Sequence, residues 1–332
     1  MRRNLAFAAR LRALLGPDAA GARQGLVALG LNSSTSLVAG AFLGSITGTL
    51  AKYPGLLVLV PAAIGLRGNI FGSFGNRIST SIHAGTFRGS LRREAVLGQN
   101  VLAAMLLTMG MSLALAVVAK AVAVGLGLEN SIDLLSMATV SIIGGVLGSV
   151  VVLAASLGLT AGAVRYGWDL DNVTAPLVST LGDVLTLPAL YLATFLLGIS
   201  IVTSVVGLAV VAASLASLVA GWRSSTEGLR RIVHESVPVL LVAGCVSAGA
   251  GITLERSFAR FEALPALLVL VPAHLSSSGA LGGILSGRLA SKLFLGLVTP
   301  ASSPNREARS DISLVFLLAV PVYQFNGIGA HV

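Results

Sequence analysis

Long apolar stretches separated by short polar segments dominate the chain. Each is about 20 residues long, which as a helix covers the roughly 30 Å of hydrocarbon in a bilayer. Because the apolar residues run continuously rather than at every second position, they indicate helices and not barrel strands. They predict nine spans, at residues 25–50, 54–75, 97–124, 135–158, 174–199, 202–221, 236–254, 264–285 and 312–330. The pattern therefore predicts an all-α polytopic membrane protein with about nine transmembrane helices.

Basic residues lie almost entirely on one side of these predicted spans. With the N-terminus on the cytoplasmic side, most of the 22 lysines and arginines fall inside. The residues that fall outside are Lys52, Lys120, Arg256 and Arg260. Arg67 lies within the second span, where we expect a structural role or an extension to the membrane interface, a gating role being the alternative. The bias predicts a cytoplasmic N-terminus.

Composition agrees with this assignment. Apolar residues make up 55% of the 332 residues and charged residues 11%, against about 25% charged in a soluble domain. These values exclude a soluble globular protein and a disordered one. The net charge of +9 follows from basic residues that face anionic lipid headgroups, so we expect the lipid bilayer, and no nucleic acid, as partner. A single Cys245 permits no disulfide within the chain.

The sequence contains an internal repeat. Residues 56–62 read LLVLVPA, and residues 267–273 read LLVLVPA again, an offset of 211. Matches at the same offset are Pro54 with Pro265, Gly68 with Gly279, Gly72 with Gly283, Arg77 with Arg288, and Gly85 with Gly296. A heptapeptide with these further matches indicates a duplicated helix. The two copies are an even number of spans apart, so they cross the membrane in the same direction, as parallel repeats.

The repeat divides the chain into four parts. Residues 1–24 form a basic cytoplasmic segment, 25–200 a first repeat of five helices, 201–235 a linking helix and cytoplasmic loop, and 236–332 a second repeat. The second copy of a residue near position 183 would fall beyond residue 332. We therefore expect a shortened second repeat of about three helices.

Asp183 is a carboxylate that the pattern places inside the fifth span, where a charge is costly. Ser179 lies four residues earlier on the same helix face, and Thr180 is adjacent to it. Pro176 and Pro188 free backbone carbonyls nearby. An oxygen-rich site of this kind suits a hard cation such as Mg²⁺. The alternative is an aspartate neutralised by a partner on another helix.

The second span and the residues after it, 61–85, read PAAIGLRGNIFGSFGNRISTSIHAG. Glycines leave one side of this helix nearly bare, at Gly65, Gly68, Gly72 and Gly75. A bare face permits close helix packing or exposes backbone to a pore. Asn69 and Asn76 add polar groups and favour the pore. Asp171 and Asn172, just before the fifth span, either concentrate cations at a pore mouth or cap the helix.

Two of these segments resemble the sequence signatures of a known family. Residues 61–85 resemble a signature of the membrane domain of the MgtE magnesium channels and transporters, and of their two-repeat relatives among the solute carriers. Residues 171–183, DNVTAPLVSTLGD, resemble the family's second signature. The resemblance covers most of residues 25–200 and is weaker over 236–332. It implies two parallel MgtE-like five-helix units around a pore lined by their second and fifth helices.

The resemblance also implies roles for individual residues. Asp183 would bind a largely hydrated Mg²⁺, with Ser179 and Thr180 on the preceding turn and with Gly68 and Asn69 on the second helix. In the second copy Asn69 becomes alanine, and the second fifth helix with its aspartate is missing. Mn²⁺, Co²⁺ or other divalent cations are further candidates as transported ions.

The sequence thus predicts divalent cation transport, most simply of Mg²⁺, by a multi-pass plasma-membrane protein that could form a homodimer. The alternative is a non-conducting or fragmentary membrane subunit, a pseudo-transporter. The sequence does not distinguish a channel from a coupled exchanger, or import from export. We expect no enzymatic activity, because aspartyl proteolysis needs two facing carboxylates and neither HExxH nor GxSxG occurs.

Overall fold

The structure is a computed structural model of the chain. It describes residues 19–128, 130–166, 170–198, 200–258, 265–301 and 303–330. Within these ranges it describes the backbone alone at positions 19–24, 170–179, 183, 198, 200–202 and 265, and the side chains at all other positions.

The described residues form ten α-helices. They are α1 Ala19–Ser45, α2 Thr47–Lys52, α3 Leu56–His83, α4 Val96–Gly125, α5 Leu134–Tyr166, α6 Leu170–Thr194, α7 Ser200–Trp222, α8 Glu227–Arg256, α9 Pro265–Phe294 and α10 Arg306–Gly329. All except α2 are long and apolar enough to cross a membrane, which gives nine candidate spans among the described residues. The predicted all-α polytopic fold is confirmed.

Several helices extend past the hydrophobic stretches that predicted them. The second span was expected to end near residue 75, but α3 continues to His83, and α5 and α8 are also longer than expected. The end of the predicted span and its extension carry apolar residues that form a separate cluster, since Phe74 and Ile78 are fully buried and pack with Leu97 and Ala163. Hydropathy marks the part of a helix that lies in hydrocarbon, whereas backbone hydrogen bonds continue the helix beyond it.

The central helix is α3, which packs against α4, α5, α6, α8 and α9. Its first nine residues, 56–64, are all buried, and Val58, Leu59 and Phe71 have no exposed surface. The main core cluster gathers around this half of α3. In the other half, polar and small residues alternate between buried and exposed positions, so one side of α3 is left open.

The two repeats pack as a pseudo-twofold pair. At the offset of 211, α8 and α9 are the copies of α1 and α3; α1 packs against α9, and α8 packs against α3. A methyl group on Gly40 would overlap the carbonyl oxygen of Val269, and one on Gly251 would overlap that of Val58. Gly251 is the copy of Gly40, and Val269 is the copy of Val58, so the two contacts are equivalent. These close backbone contacts therefore join the repeats symmetrically.

A second pair of equivalent contacts links the second and third helices of each repeat. Arg77 Nε donates to Asn100 Oδ1 at 2.5 Å, and Arg288 Nε donates to Asp311 Oδ1 at 2.9 Å. Asp311 is the copy of Asn100. Its carboxylate is buried and also pairs with Lys292 Nζ at 2.7 Å, so the buried charge is compensated from two sides.

Candidate functional site

A groove lies between the pseudo-twofold partners α3 and α9, with a cavity volume of about 340 Å³. Its polar and small lining residues are Gly65, Gly68, Asn69, Gly72, Ser73 and Asn76 from α3, and Ser276, Gly279, Gly282, Gly283 and Ser286 from α9. The lining spans residues 64–76 of α3, which corresponds to about 18 Å along the helix.

Four glycines of the groove do not pack against a neighbouring helix. A Cβ atom added at Gly68, Gly72, Gly279 or Gly282 would meet no heavy atom within 4 Å. This is the opposite of Gly40, where a Cβ atom would strike backbone. Of the two roles that the sequence left open for the bare face of α3, the structure supports the open groove at these positions.

The groove is closed at the end that lies nearer the start of α3. It ends at Ile64 and Leu275, beyond which every residue of α3 back to Leu56 is buried. The contacts of Gly40 with Val269 and of Gly251 with Val58 lie on this buried side. The described residues therefore close the groove at the end opposite the predicted cytoplasmic side.

Asn69 is exposed within the groove, as its predicted role requires. It also borders a second cleft of about 270 Å³ between α3, α4 and α8, where Arg77 and Glu235 lie. Its copy in the second repeat, Ala280, is 1% exposed and packs in an apolar cluster with Leu29 of α1. The two sides of the groove thus differ at this position, one being polar and open, the other apolar and filled.

Helix α6 packs against α1 and against both helices that line the groove, α3 and α9. Its residue Thr180 is buried and donates from Oγ1 to Oδ1 of Asn32, at 3.1 Å. Ser276, from the lining of the groove, donates from Oγ to the same oxygen at 2.8 Å. One fully buried asparagine on α1 therefore connects α6 to α9.

This contact belongs to a polar layer that crosses four helices. Ser33 Oγ lies 3.3 Å from Ser277 Oγ, and Asn326 Nδ2 donates to Ser277 Oγ at 3.0 Å and to the carbonyl of Ala273 at 3.2 Å.

The sequence did not identify Asn32 as a residue of this layer. The available signal was the run NSSTS at residues 32–36, five polar residues inside an apolar span.

Four of the predicted site residues have side chains outside the described residues. They are Asp171, Asn172, Ser179 and Asp183. Their backbone lies in α6, which begins at Leu170, and the adjacent Gly182 passes close to α3, since a Cβ atom there would lie 3.9 Å from Cβ of Arg67. The roles assigned to these four side chains stay predictions.

Arg67 does not extend to the membrane interface, and of the two expected roles the structure supports the structural one. Its side chain is 3% exposed, and Nη2 donates to the carbonyl oxygen of Gly144 on α5 at 2.6 Å. Gly148, one turn along α5, leaves room for the guanidinium, because a Cβ atom there would lie 3.0 Å from Cζ of Arg67. Small residues on α5 thus hold the arginine inside the first repeat, on a side of α3 away from the groove.

Comparison with known proteins finds the family that the two sequence motifs resemble. Residues 60–194 match the family model of MgtE, described as a divalent cation transporter. This stretch runs from α3 to the end of α6 and contains both quoted motifs, so the resemblance predicted from them is confirmed over these residues.

Two curated relatives match with low identity. The solute carrier family 41 member 3 proteins of Mus musculus and Rattus norvegicus are each 25% identical over 139 residues, which is 41% of this chain. The matched stretch covers 28% and 30% of these two proteins, so the chain spans less than a third of their length. No solved structure matches the chain.

Proposed function

We propose that this protein moves divalent cations across a membrane along the groove between α3 and α9, and that Mg²⁺ is its cargo. The observation that carries the proposal is the open, polar groove at a twofold-related helix pair, one of whose helices lies in the stretch that matches a divalent cation transporter family.

The dimensions and chemistry of the groove suit a hydrated ion. Mg²⁺ loses its water reluctantly and prefers octahedral coordination, and six waters occupy about 180 Å³ at about 30 Å³ each. The groove volume of about 340 Å³ exceeds this value. Amide and hydroxyl groups of Asn69, Ser73, Asn76 and Ser276 can exchange hydrogen bonds with such a water shell without removing it.

We assign the charged ligand to Asp183. The carboxylate would attract a divalent cation to the part of α6 that borders α3 and α9, and Thr180, one turn earlier, is held at the same place by Asn32. Gly68 supports the site by leaving the backbone of α3 open. Asp171 and Asn172, at the start of α6, would concentrate cations at the inner mouth.

The competing assignment makes Asp183 a partner of a buried arginine, and Arg67 lies beside the same turn of α6. The two assignments predict different phenotypes. A cation ligand replaced by asparagine loses transport while the fold keeps its stability. A structural partner replaced by asparagine destabilises the fold by about 3–5 kcal/mol, because a buried charge is left uncompensated, and Arg67→Gln in the same chain restores stability.

The decisive experiment measures Mg²⁺ entry into liposomes that contain the purified chain and an internal Mg²⁺ indicator. We expect saturable entry for the wild type, none for Asp183→Asn, and unchanged entry for Asp133→Asn, a matched carboxylate in the loop before α5. Unfolding of each variant in detergent is measured in parallel. Absence of entry in the wild type would overturn the proposal and favour the non-conducting alternative. Entry of Mn²⁺ or Co²⁺ but not Mg²⁺ would overturn the choice of cargo.

Three further assignments accompany this proposal. We place the protein in the plasma membrane, propose that a homodimer is its working form, and assign it no covalent chemistry. The mass of the protein in lipid nanodiscs distinguishes one chain from two. Fractionation of cell membranes tests the location.

A further inference from the structure

We infer that the second cleft, between α3, α4 and α8, binds the headgroup of an inner-leaflet phospholipid that carries both a phosphate and a primary ammonium group. Arg77 holds the phosphate, and Glu235 on the opposite wall holds the ammonium group. The inference is independent of the proposed function, because a chain that moved no cation could still bind such a lipid.

The cleft lies at the depth of the lipid headgroups. Arg77 comes just after the second apolar stretch of the sequence, which ends near residue 75, and Glu235 comes just before the seventh, which begins at residue 236. Both positions are at the predicted cytoplasmic ends of their spans. Toward the middle of the three helices, the lining gains apolar side chains, those of Ile70, Leu107, Val239 and Leu240. The cleft is therefore charged at the membrane surface and more apolar toward the hydrocarbon, as a phospholipid is.

The two charged side chains of the cleft do not pair with each other. Arg77 donates from Nε to the neutral amide of Asn100, and no carboxylate of the described residues forms an ion pair with it. Glu235 pairs through Oε1 with Arg231, at 2.8 Å, on an exposed turn of α8. The terminal nitrogens of Arg77 and the second oxygen of Glu235 can therefore bind a ligand that carries both signs of charge.

The pseudo-twofold relation shows that the fold does not require an open cleft here. Four lining positions, Asn69, Ser73, Leu107 and Leu240, have apolar copies, which are Ala280, Ile284, Leu318 and Leu29. These four copies are buried together in one apolar cluster between α1, α9 and α10. The copy of Arg77 differs as well, since Arg288 is bound by the carboxylate of Asp311. The open cleft and the arginine without a carboxylate partner occur together, on one side of the pair.

The size of the cleft limits which part of a lipid it can hold. Its volume of about 270 Å³ equals that of about nine waters at about 30 Å³ each, which suffices for a headgroup and not for two acyl chains. The acyl chains have a path outside the cleft. Val242 and Val246 follow Val239 on the same face of α8, and the three side chains are 66–71% exposed. This face continues from the cleft into the hydrocarbon.

The charges make the cleft selective among headgroups. A guanidinium donates two parallel hydrogen bonds to a phosphate group, which all phospholipids present. A primary ammonium group donates N–H to the carboxylate of Glu235, whereas a trimethylammonium group has no N–H to donate. A headgroup with a phosphate and no cation brings net negative charge toward Glu235. The cleft should therefore prefer phosphatidylethanolamine to phosphatidylcholine and to phosphatidylglycerol.

The test measures binding of these three lipids to the purified chain in detergent, by native mass spectrometry over a range of lipid concentrations. The wild type should bind phosphatidylethanolamine about threefold or more tightly than the other two. Arg77→Gln should weaken binding of all three by about tenfold or more, because each loses a charge-assisted hydrogen bond to its phosphate. Glu235→Gln should abolish the preference for phosphatidylethanolamine. Arg230→Gln and Glu227→Gln are the matched controls, exposed on α8 outside the cleft, and should bind as the wild type does.

A further variant and two soluble compounds identify the site and the source of the phosphate. Ser73→Ile gives the cleft the side chain of its twofold copy and should reduce binding of all three lipids at unchanged melting temperature. Inorganic phosphate and phosphoethanolamine carry the charged groups without acyl chains, and neither should displace phosphatidylethanolamine at equal concentration. Displacement by inorganic phosphate would overturn the assignment to a lipid in favour of a site for free phosphate.

The remaining outcomes are equally distinct. Equal affinity of the wild type for the three lipids overturns the inference, and so does binding that Arg77→Gln and Ser73→Ile leave unchanged. If Arg77→Gln fails to fold because Asn100 loses its partner, Glu235→Gln and Ser73→Ile decide. A preference for phosphatidylethanolamine that persists in Glu235→Gln counts against the inference. None of these measurements involves transport, so failure of Mg²⁺ entry would overturn the proposed function alone.

Discussion

The same substitution, glycine to alanine, is expected to have opposite effects at two positions of the fold. Gly40 of α1 faces the backbone of α9, where an added Cβ atom would overlap the carbonyl oxygen of Val269. Gly279 of α9 faces the groove, where an added Cβ atom would meet nothing within 4 Å. Both glycines lie within helices, so the gain in helix propensity is the same at each.

The magnitudes follow from these two environments. Alanine in place of a helical glycine stabilises by about 0.5–1 kcal/mol, and Gly279→Ala should show this gain. At Gly40 the obstacle is backbone and cannot rotate away, so α1 and α9 must separate at a cost of about 1–3 kcal/mol or more. After subtracting the propensity gain, Gly40→Ala should still destabilise. Because the gain is common to both positions, the two variants should differ by the overlap cost alone, about 1–3 kcal/mol or more.

Reversible unfolding in mixed micelles measures this difference as a free energy of unfolding. Gly251→Ala is the internal replicate, because its obstacle, the carbonyl of Val58, is the twofold copy of the first. We expect Gly251→Ala to resemble Gly40→Ala within about 1 kcal/mol. Equal stabilities for Gly40→Ala and Gly279→Ala would refute the distinction between contact glycines and groove glycines. A large difference between Gly40→Ala and Gly251→Ala would refute the pseudo-twofold packing.

Three further predictions concern the groove, a buried ion pair and a helix cap. Asn69→Leu should reduce the maximal rate of Mg²⁺ entry severalfold at unchanged melting temperature, since it removes an amide from the groove; a wild-type rate would exclude Asn69 from the pathway. Asp311→Asn should lower the free energy of unfolding by about 3–5 kcal/mol, because the buried Arg288 and the partly buried Lys292 lose their carboxylate, and a change below 1 kcal/mol would contradict that pairing. Asp133→Ala should cost about 1 kcal/mol at pH 7, since Asp133 accepts from the backbone N–H of Ser136. Burial raises the pKa of Asp133, but hydrogen bonds from Ser136 outweigh it and hold the pKa below its usual value. The contribution of the carboxylate is thus complete above about pH 4 and is lost as the pH falls through the lowered pKa, so a deficit that persists at pH 2 would refute the cap.

The sequence predicted the helices and their relation well, because hydrophobic length and an exact heptapeptide repeat are properties of the chain alone. It did not distinguish the glycines, because Gly40 and Gly72 look alike until the neighbouring helix is in place. Arg67 was misplaced for a related reason. The room for its guanidinium is made by two glycines on α5, about 80 residues away in the sequence.

Asn32 illustrates a different limit of prediction from sequence. The polar run at 32–36 is visible in the sequence, but only some of its members matter to the groove. Ser34 and Thr35 bond to carbonyls of their own helix, whereas Asn32 reaches α6 and α9. Which members turn inward depends on the rotation of α1 about its axis. The same rotation brings Gly40 close to Val269, a contact between repeats.

The backbone contacts that close the groove determine how it could open. A barrier made of side chains can be passed by rotamer changes within nanoseconds. Here the barrier lies where Gly40 meets Val269 and Gly251 meets Val58, and main-chain atoms have no rotamers. Opening requires the two helix pairs to move as rigid bodies, a motion of microseconds to milliseconds. Movement of whole helices, and not rotation of side chains, would therefore limit how often the groove opens to the opposite side.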